Sequence, residues 1–171
     1  LFIDPGTLIY CILFCQISGP QIKVLGEIYQ EQADSRRVIE RALMHPMWRY
    51  VRSHKGHWMD SAGKQRHMGS KAPISVWKQL TGLEISTSKG TVEVDTKVER
   101  CLALLNRDYI SGTPYLQINS KECPGLLAEA GIGPSPAAEQ GGGIWMRQVN
   151  ERGEVGNVQR KNDHAWSALA Y

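Results

Sequence analysis

The longest apolar stretch of the chain, Leu8 to Ile17, sets the main limit on what it can fold into. Ten residues fall well short of the roughly 20 needed to span a bilayer. No basic leader or small-residue cleavage site accompanies the stretch, which argues against a signal peptide. It therefore reads as a fully buried β-strand. A shorter apolar run, Leu1 to Ile3, precedes it and ends at Asp4-Pro5-Gly6, a strand leading into a turn. Ser18-Gly19-Pro20 breaks the long strand, and Ile22, Val24 and Gly26 lead a third toward Glu27, Ile28 and Tyr29. Three strands joined so tightly predict an antiparallel meander.

Helical periodicity follows. Asp34 or Ser35 can cap a helix reaching about Met44, with Val38, Ile39, Ala42 and Leu43 on its apolar face and His45-Pro46 at its end. Gly56 to Met59 reads as a short strand stopping at Asp60, and 61–70 as a polar loop. Ser75 to Leu80 reads as a short helix closed by Gly82, and Leu83 to Ser86 as another strand. Asp95 is the expected cap of a helix whose apolar face is Val98, Cys101, Leu102 and Leu105, spaced i, i+3, i+4 and i+7. Tyr115 to Ile118 reads as a strand. Pro124 opens a helix through Ala130, closed by Gly131. After a Gly/Pro/Ala-rich loop to Gly143, Ile144–Val149 and Glu154–Gln159 predict a β-hairpin. Asp163 then opens a last helix, His164 to Tyr171, which the chain's end cuts short. Strands first, then alternating helices and strands, predict an α/β layered domain with a mixed sheet.

The chain has 171 residues, 42% hydrophobic and 22% charged, the size of one domain with one core. It begins with leucine, as expected of a domain from a longer or processed protein. Its net charge of +3 and pI near 8.7 suit nucleic acid but also many other partners. Cys11, Cys15, Cys101 and Cys123 form no CxxC pair, so they read as reduced core residues of a cytosolic chain. His54, His57 and His67 with Asp60 fit no zinc spacing. The five tryptophans, Trp48, Trp58, Trp77, Trp145 and Trp166, read as packing residues.

Three aspartates stand at element boundaries: Asp4 after the first strand, Asp60 after a later one, Asp163 before the last helix. Strand ends are rigid places where functional groups collect, and a helix N-terminus favours a carboxylate. Carboxylates gathered from separate elements repel one another unless a cation joins them. Magnesium and similar hard ions take such oxygen donors, and a pair of them can promote phosphodiester cleavage. Each aspartate taken alone is also an ordinary turn residue or helix cap.

The wording around these residues is more specific. LFIDPGT at the start, KVLGEIYQ at 23–30, WMDSAGKQRH at 58–67, CPGLLAEAG at 123–131 and NDHAWSALAY at 162–171, in that order, resemble the nuclease domain of phage DNA-packaging large terminases over essentially the whole chain. The resemblance implies a ribonuclease H-like fold: a mixed sheet with an antiparallel meander, flanking helices and a β-hairpin before the last helix. It implies one nuclease domain over 1–171, with an ATPase motor upstream in the parent protein; no GxxxxGK[ST] phosphate loop is present. It implies an Mg²⁺- or Mn²⁺-dependent endonuclease, with one or two ions, cutting double-stranded viral DNA during packaging in the cytoplasm of an infected bacterium. The implied partners are DNA, the motor domain, the portal and the small terminase subunit, without a membrane. Matched position by position, Asp4, Asp60 and Asp163 are the catalytic and metal-holding residues, and His164 is an auxiliary ligand candidate. The chain departs from many relatives at Ser167, where they carry another Asp, and from some at Asn162, where they carry an acid; fewer carboxylates imply weaker binding of a second metal. Glu27 also matches a recurrent position and is expected to be structural.

Lys64 and Arg66, beside Asp60, and Arg147, Arg152, Arg160 and Lys161, on or near the hairpin, are the candidates for gripping the DNA backbone. Arg49, Arg52, Lys55 and Lys71 extend the basic neighbourhood of Asp60. Two rival readings stand beside this one. The first is another ribonuclease H-like nuclease, of the junction-resolvase or integrase type. The second is a catalytically inactive DNA-binding or assembly module of a packaging machine.

Overall fold

The apolar opening of the chain builds the middle of a sheet. The computed structural model describes residues 1–6, 8–52, 56–65, 71–87, 92–130, 132, 145–149, 155–160 and 164–170. In it β1 (Phe2–Pro5), β2 (Ile9–Ser18) and β3 (Gln21–Glu31) pair antiparallel in sequence order. The β2–β3 turn carries Gly19 at φ 57°, a left-handed conformation that suits glycine. Burial along β2 stops sooner than its apolar sequence predicts. Tyr10 to Phe14 are buried, but past an irregularity at Phe14/Cys15 the strand runs beyond the core and Ile17 is 54% exposed.

Three short strands complete the sheet. β4 (Trp58–Met59) pairs parallel to β1, β5 (Ser86–Thr87) parallel to β4, and β6 (Leu116–Ile118) parallel to β3. The strand order is β5-β4-β1-β2-β3-β6. A separate antiparallel hairpin is made by β7 (Trp145–Val149) and β8 (Val155–Arg160). The strand expected at Leu83–Ser86 starts later, because Leu83 turns into the core instead. Ser61–Lys64, expected as loop, forms a 3₁₀ turn.

Side chains alternate across the meander, and each face has its own cover. Leu1, Ile3, Tyr10, Ile12, Phe14 and Ile28 face α1 (Ser35–Met44) and α2 (Pro73–Thr81), which contribute Val38, Ile39, Ala42 and Trp77. Phe2, Cys11, Leu13 and Val24 face α3 (Val94–Leu104), α4 (Pro124–Glu129) and α5 (His164–Leu169), which contribute Cys101, Leu126, Ala165, Trp166 and Leu169. Asp34 caps α1 by accepting the Arg37 N–H at 2.9 Å, an arrangement worth about 1 kcal/mol. Gly82, at φ 71°, closes α2. The residue before α3 is Glu93; Asp95, the expected cap, lies in the helix's first turn.

The cysteines form no disulfide, and Cys11, Cys101 and Cys123 are buried. Trp77 and Trp166 are core residues as expected, and the Trp77 indole N–H donates to the buried Tyr10 hydroxyl at 2.8 Å. Trp58 is 38% exposed. Among the described residues, no helix is long and apolar enough to cross a membrane.

Candidate active site

Two carboxylates meet because two strands run side by side. β1 and β4 are parallel, with Ile3 opposite Met59, and the Asp60 N–H donates to the Ile3 carbonyl at 3.0 Å. Asp4 and Asp60 therefore leave the carboxyl ends of neighbouring strands together. Asp4 is one residue inside β1, opposite Cys11, rather than beyond its end. It shares the sheet face of Phe2, the face that α5 covers. From the first residue of α5, His164 brings Nδ1 to 3.5 Å from Asp4 Oδ2. Gly6 makes room for this approach: a Cβ there would stand 3.0 Å from His164 Nδ1 and would also collide with the Ile9 carbonyl.

Burial pushes the Asp4 carboxyl above the usual carboxylate range. The negative charge of Asp60 acts in the same direction, while His164 and Lys97 oppose it. The four groups thus form one electrostatic unit. Asp60 is held firmly within it. Its Oδ1 accepts the Ala62 N–H at 2.8 Å and the Ser61 hydroxyl at 3.2 Å, capping the 3₁₀ turn. Its Oδ2 lies 3.2 Å from the Lys97 ammonium.

Lys97 is absent from the sequence-derived candidates, and the rotation of α3 explains why. The predicted apolar face carries Leu102 and Leu105, yet these are 57% and 58% exposed. Cys101, the fourth residue of that predicted face, is buried as expected, and Lys97 is buried with it at 2% exposure. The lysine ammonium also donates to the Ser167 hydroxyl at 3.5 Å. Burying a leucine contributes about 1.5–3 kcal/mol, and a buried ion's desolvation costs several kcal/mol unless it is paired. Periodicity alone favours the leucines. The bonds to Asp60 and Ser167 offset the lysine's desolvation.

A second omission is Glu129. It is 3% exposed and sits over the N-terminus of α5. Its carboxyl accepts the Ala165 N–H at 2.9 and 3.1 Å, the Trp166 N–H at 3.2 Å and the Tyr29 hydroxyl at 2.9 Å. It thereby fixes the helix that carries His164. Burial raises its pKa to about 8, against those hydrogen bonds. The one signal in the sequence is a lone acid in the run LLAEAG. Glu27 does the corresponding work for α4, accepting the Gly125 and Leu126 N–H groups, the latter at 2.9 Å. Its structural role matches the expectation.

The remaining candidates distribute as follows. Asp163, Arg66, Arg152 and Lys161 lie outside the described residues, although Asp163 directly precedes His164 in the chain. Arg147 lies on β7 and Arg160 ends β8. Lys64 is exposed at the end of the turn that Asp60 caps. Among the described residues, no three His, Cys, Asp or Glu side chains gather closely enough to enclose a metal ion. The described part of the site is Asp4, Asp60, His164 and Lys97.

No protein-family model matches the sequence, and no curated protein matches it. Solved structures do match by shape. The large terminase nuclease domain of bacteriophage SPP1, solved with bound Mn, superposes with a TM-score of 0.62 at 13% identity, covering 99% of this chain and 81% of that one. The large terminase of a thermophilic bacteriophage superposes with a TM-score of 0.67 at 16% identity. That match covers 99% of this chain and 36% of the thermophilic phage protein. The fold is that of a phage large-terminase nuclease domain. The central meander with parallel strands on both sides is the expected ribonuclease H-like mixed sheet. This terminase-type sheet brings Asp4 and Asp60 together at adjacent strand ends, and the chain spans about a third of the thermophilic phage's large terminase.

Proposed function

We propose that this chain is the metal-dependent endonuclease domain of a phage DNA-packaging machine, cutting double-stranded DNA. The observation that carries the reading is the emergence of Asp4 and Asp60 from adjacent parallel strands, with His164 against Asp4. Asp4 would hold the ion from one strand end and Asp60 from the other. Asp163 would contribute from the start of the last helix, with His164 auxiliary. Hard carboxylate oxygens crowded into a partly buried space are the donor set that Mg²⁺ or Mn²⁺ prefers. The charge repulsion and desolvation at Asp4 supply a reason for a cation to bind there. A bound divalent ion supplies Lewis-acid activation of water and charge neutralisation at the phosphate. The protein's part is to fix the carboxylates: β-pairing holds Asp4, and the Ala62 and Ser61 donors hold Asp60.

Lys64 and Arg66 beside Asp60, together with Arg147, Arg152, Arg160 and Lys161 at the hairpin, would grip the DNA backbone. A motor domain preceding the chain, the portal and the small terminase subunit are the partners that this reading carries, in the cytoplasm of an infected bacterium. The Mn bound by the SPP1 nuclease domain supports the choice of ion.

The test is incubation of the chain with supercoiled plasmid and Mn²⁺, beside Asp60→Ala and Asp4→Asn. Nicking or linearisation by the wild type, lost in both variants, is the expected result. An inert wild type refutes nuclease activity in this domain, and variants that cut equally well refute the site. Cutting confined to branched DNA favours a junction-resolving enzyme.

A further inference from the structure

The site holds a cation of its own. Lys97 reaches it from α3 and is almost completely buried, while two leucines of the same helical stretch face solvent. Its ammonium lies 3.2 Å from Asp60 Oδ2 and 3.5 Å from the Ser167 hydroxyl of α5. The other Asp60 oxygen already accepts two donors, Ala62 N–H and Ser61 O–H. Both Asp60 oxygens are therefore engaged by the protein itself. Asp4 differs: its Oδ2 lies 3.5 Å from an imidazole nitrogen, which can turn a lone pair or a proton toward it. The two carboxylates are not equivalent partners for an incoming ion. On the Asp4 side a divalent ion meets a carboxylate and an imidazole. On the Asp60 side it must displace a buried ammonium from its carboxylate partner.

We infer that Lys97 is a resident counter-cation that fills the place of a second metal ion, so that the chain binds one divalent ion, on the Asp4 side. The inference rests on the metal-nuclease reading given above and deepens it. Lys97 is in this sense a positioning residue: it fixes Asp60 and sets the number of ions. A lysine ammonium carries a single charge tethered to the chain, whereas a second divalent ion would depend on concentration. Methionine in its place keeps much of the bulk of the stem but removes the charge. Arginine keeps the charge.

The experiment is a Mn²⁺ titration of the full chain, counting bound ions by calorimetry and by the loss of the free-Mn²⁺ paramagnetic resonance signal. It compares wild type, Lys97→Met and Lys97→Arg, each checked for folding by circular dichroism. The expected result is one Mn²⁺ per chain for wild type and for Lys97→Arg, rising to two for Lys97→Met. Two ions in wild type, or no gain in a folded Lys97→Met, overturns the inference and leaves the metal-nuclease reading standing. Absence of any Mn²⁺ binding in wild type overturns that reading as well. Should Lys97→Met fail to fold, Lys97→Gln serves as the second uncharged variant. The wild-type count alone still decides against the inference if it is two.

Discussion

Replacing Glu129 should loosen the candidate site from a distance, through the helix that carries His164. In Glu129→Ala, the backbone N–H groups of Ala165 and Trp166 lose their acceptor where both residues are nearly or fully buried. Each unsatisfied buried donor costs about 1–3 kcal/mol. Relief of the buried carboxyl's own desolvation offsets part of this, which leaves a net loss of about 3 kcal/mol. For a chain of this length, 1 kcal/mol moves the melting temperature by about 2–4 °C, so the variant should melt about 6–12 °C lower.

Glu129→Gln separates charge from hydrogen bonding. The wild-type carboxyl titrates near 8 when folded, against an ordinary value of 4.5. Between those values the folded chain keeps a proton that the unfolded chain has released. The stabilisation is therefore fully present below about pH 4.5 and is lost as pH rises through about 8. At about 1.4 kcal/mol per pH unit, the full window spans at most about 5 kcal/mol. Glutamine does not titrate. The stability of wild type relative to Glu129→Gln should be greatest near pH 5 and should fall steadily toward pH 8.5. Urea unfolding followed by tryptophan fluorescence at several pH values measures it. A difference that stays constant, or grows in favour of wild type with pH, refutes the assignment of a raised pKa to burial. A Glu129→Ala variant melting within a degree of wild type refutes its role as the anchor of α5.

Three further outcomes are expected. Tyr10→Phe removes the acceptor of the buried Trp77 indole N–H and should cost about 1–3 kcal/mol in urea unfolding, so an unchanged midpoint contradicts the bond. Gly63→Ala places a methyl group against Met59 Sδ and 2.7 Å from its Cγ, where Met59 is fully buried next to Asp60. It should cost about 1–3 kcal/mol and weaken Mn²⁺ binding, read by melting and by titration; unchanged values in both show that Met59 yields freely. Chelation with EDTA should abolish DNA cutting and leave the fold intact, since two apolar clusters hold the sheet. Mn²⁺ at about 100 times its dissociation constant should then add about 2.7 kcal/mol of stability; collapse of the circular dichroism spectrum on chelation contradicts this.

Local chemistry made much of the architecture legible. The apolar run at Leu8–Ile17 and its flanking breaks located the meander, because an alternating backbone and tight turns are decided over a few residues. Asp34, Gly82 and Pro124 marked helix ends through caps and allowed φ values, which are equally local. Failures occurred where a distant partner decided. The stripe of Val98, Cys101, Leu102 and Leu105 predicted the buried face of α3; Cys101 is buried, but Leu102 and Leu105 are exposed and the helix turns Lys97 inward toward Asp60, 37 residues away in the chain. Ile17 looked buried by composition and is exposed because it lies on the part of β2 that runs beyond the core.

The candidate site divides in the same way. The sequence by itself determined that Asp4 and Asp60 stand at or near strand ends, since such positions follow from patterns a few residues long. Tertiary structure alone decided that the two strands are parallel neighbours and that His164 reaches Asp4. It also decided that a lysine and a glutamate, each buried through bonds to residues remote in sequence, shape the site around them. Pairing and the desolvation of charge depend on which elements meet, and no local pattern records that.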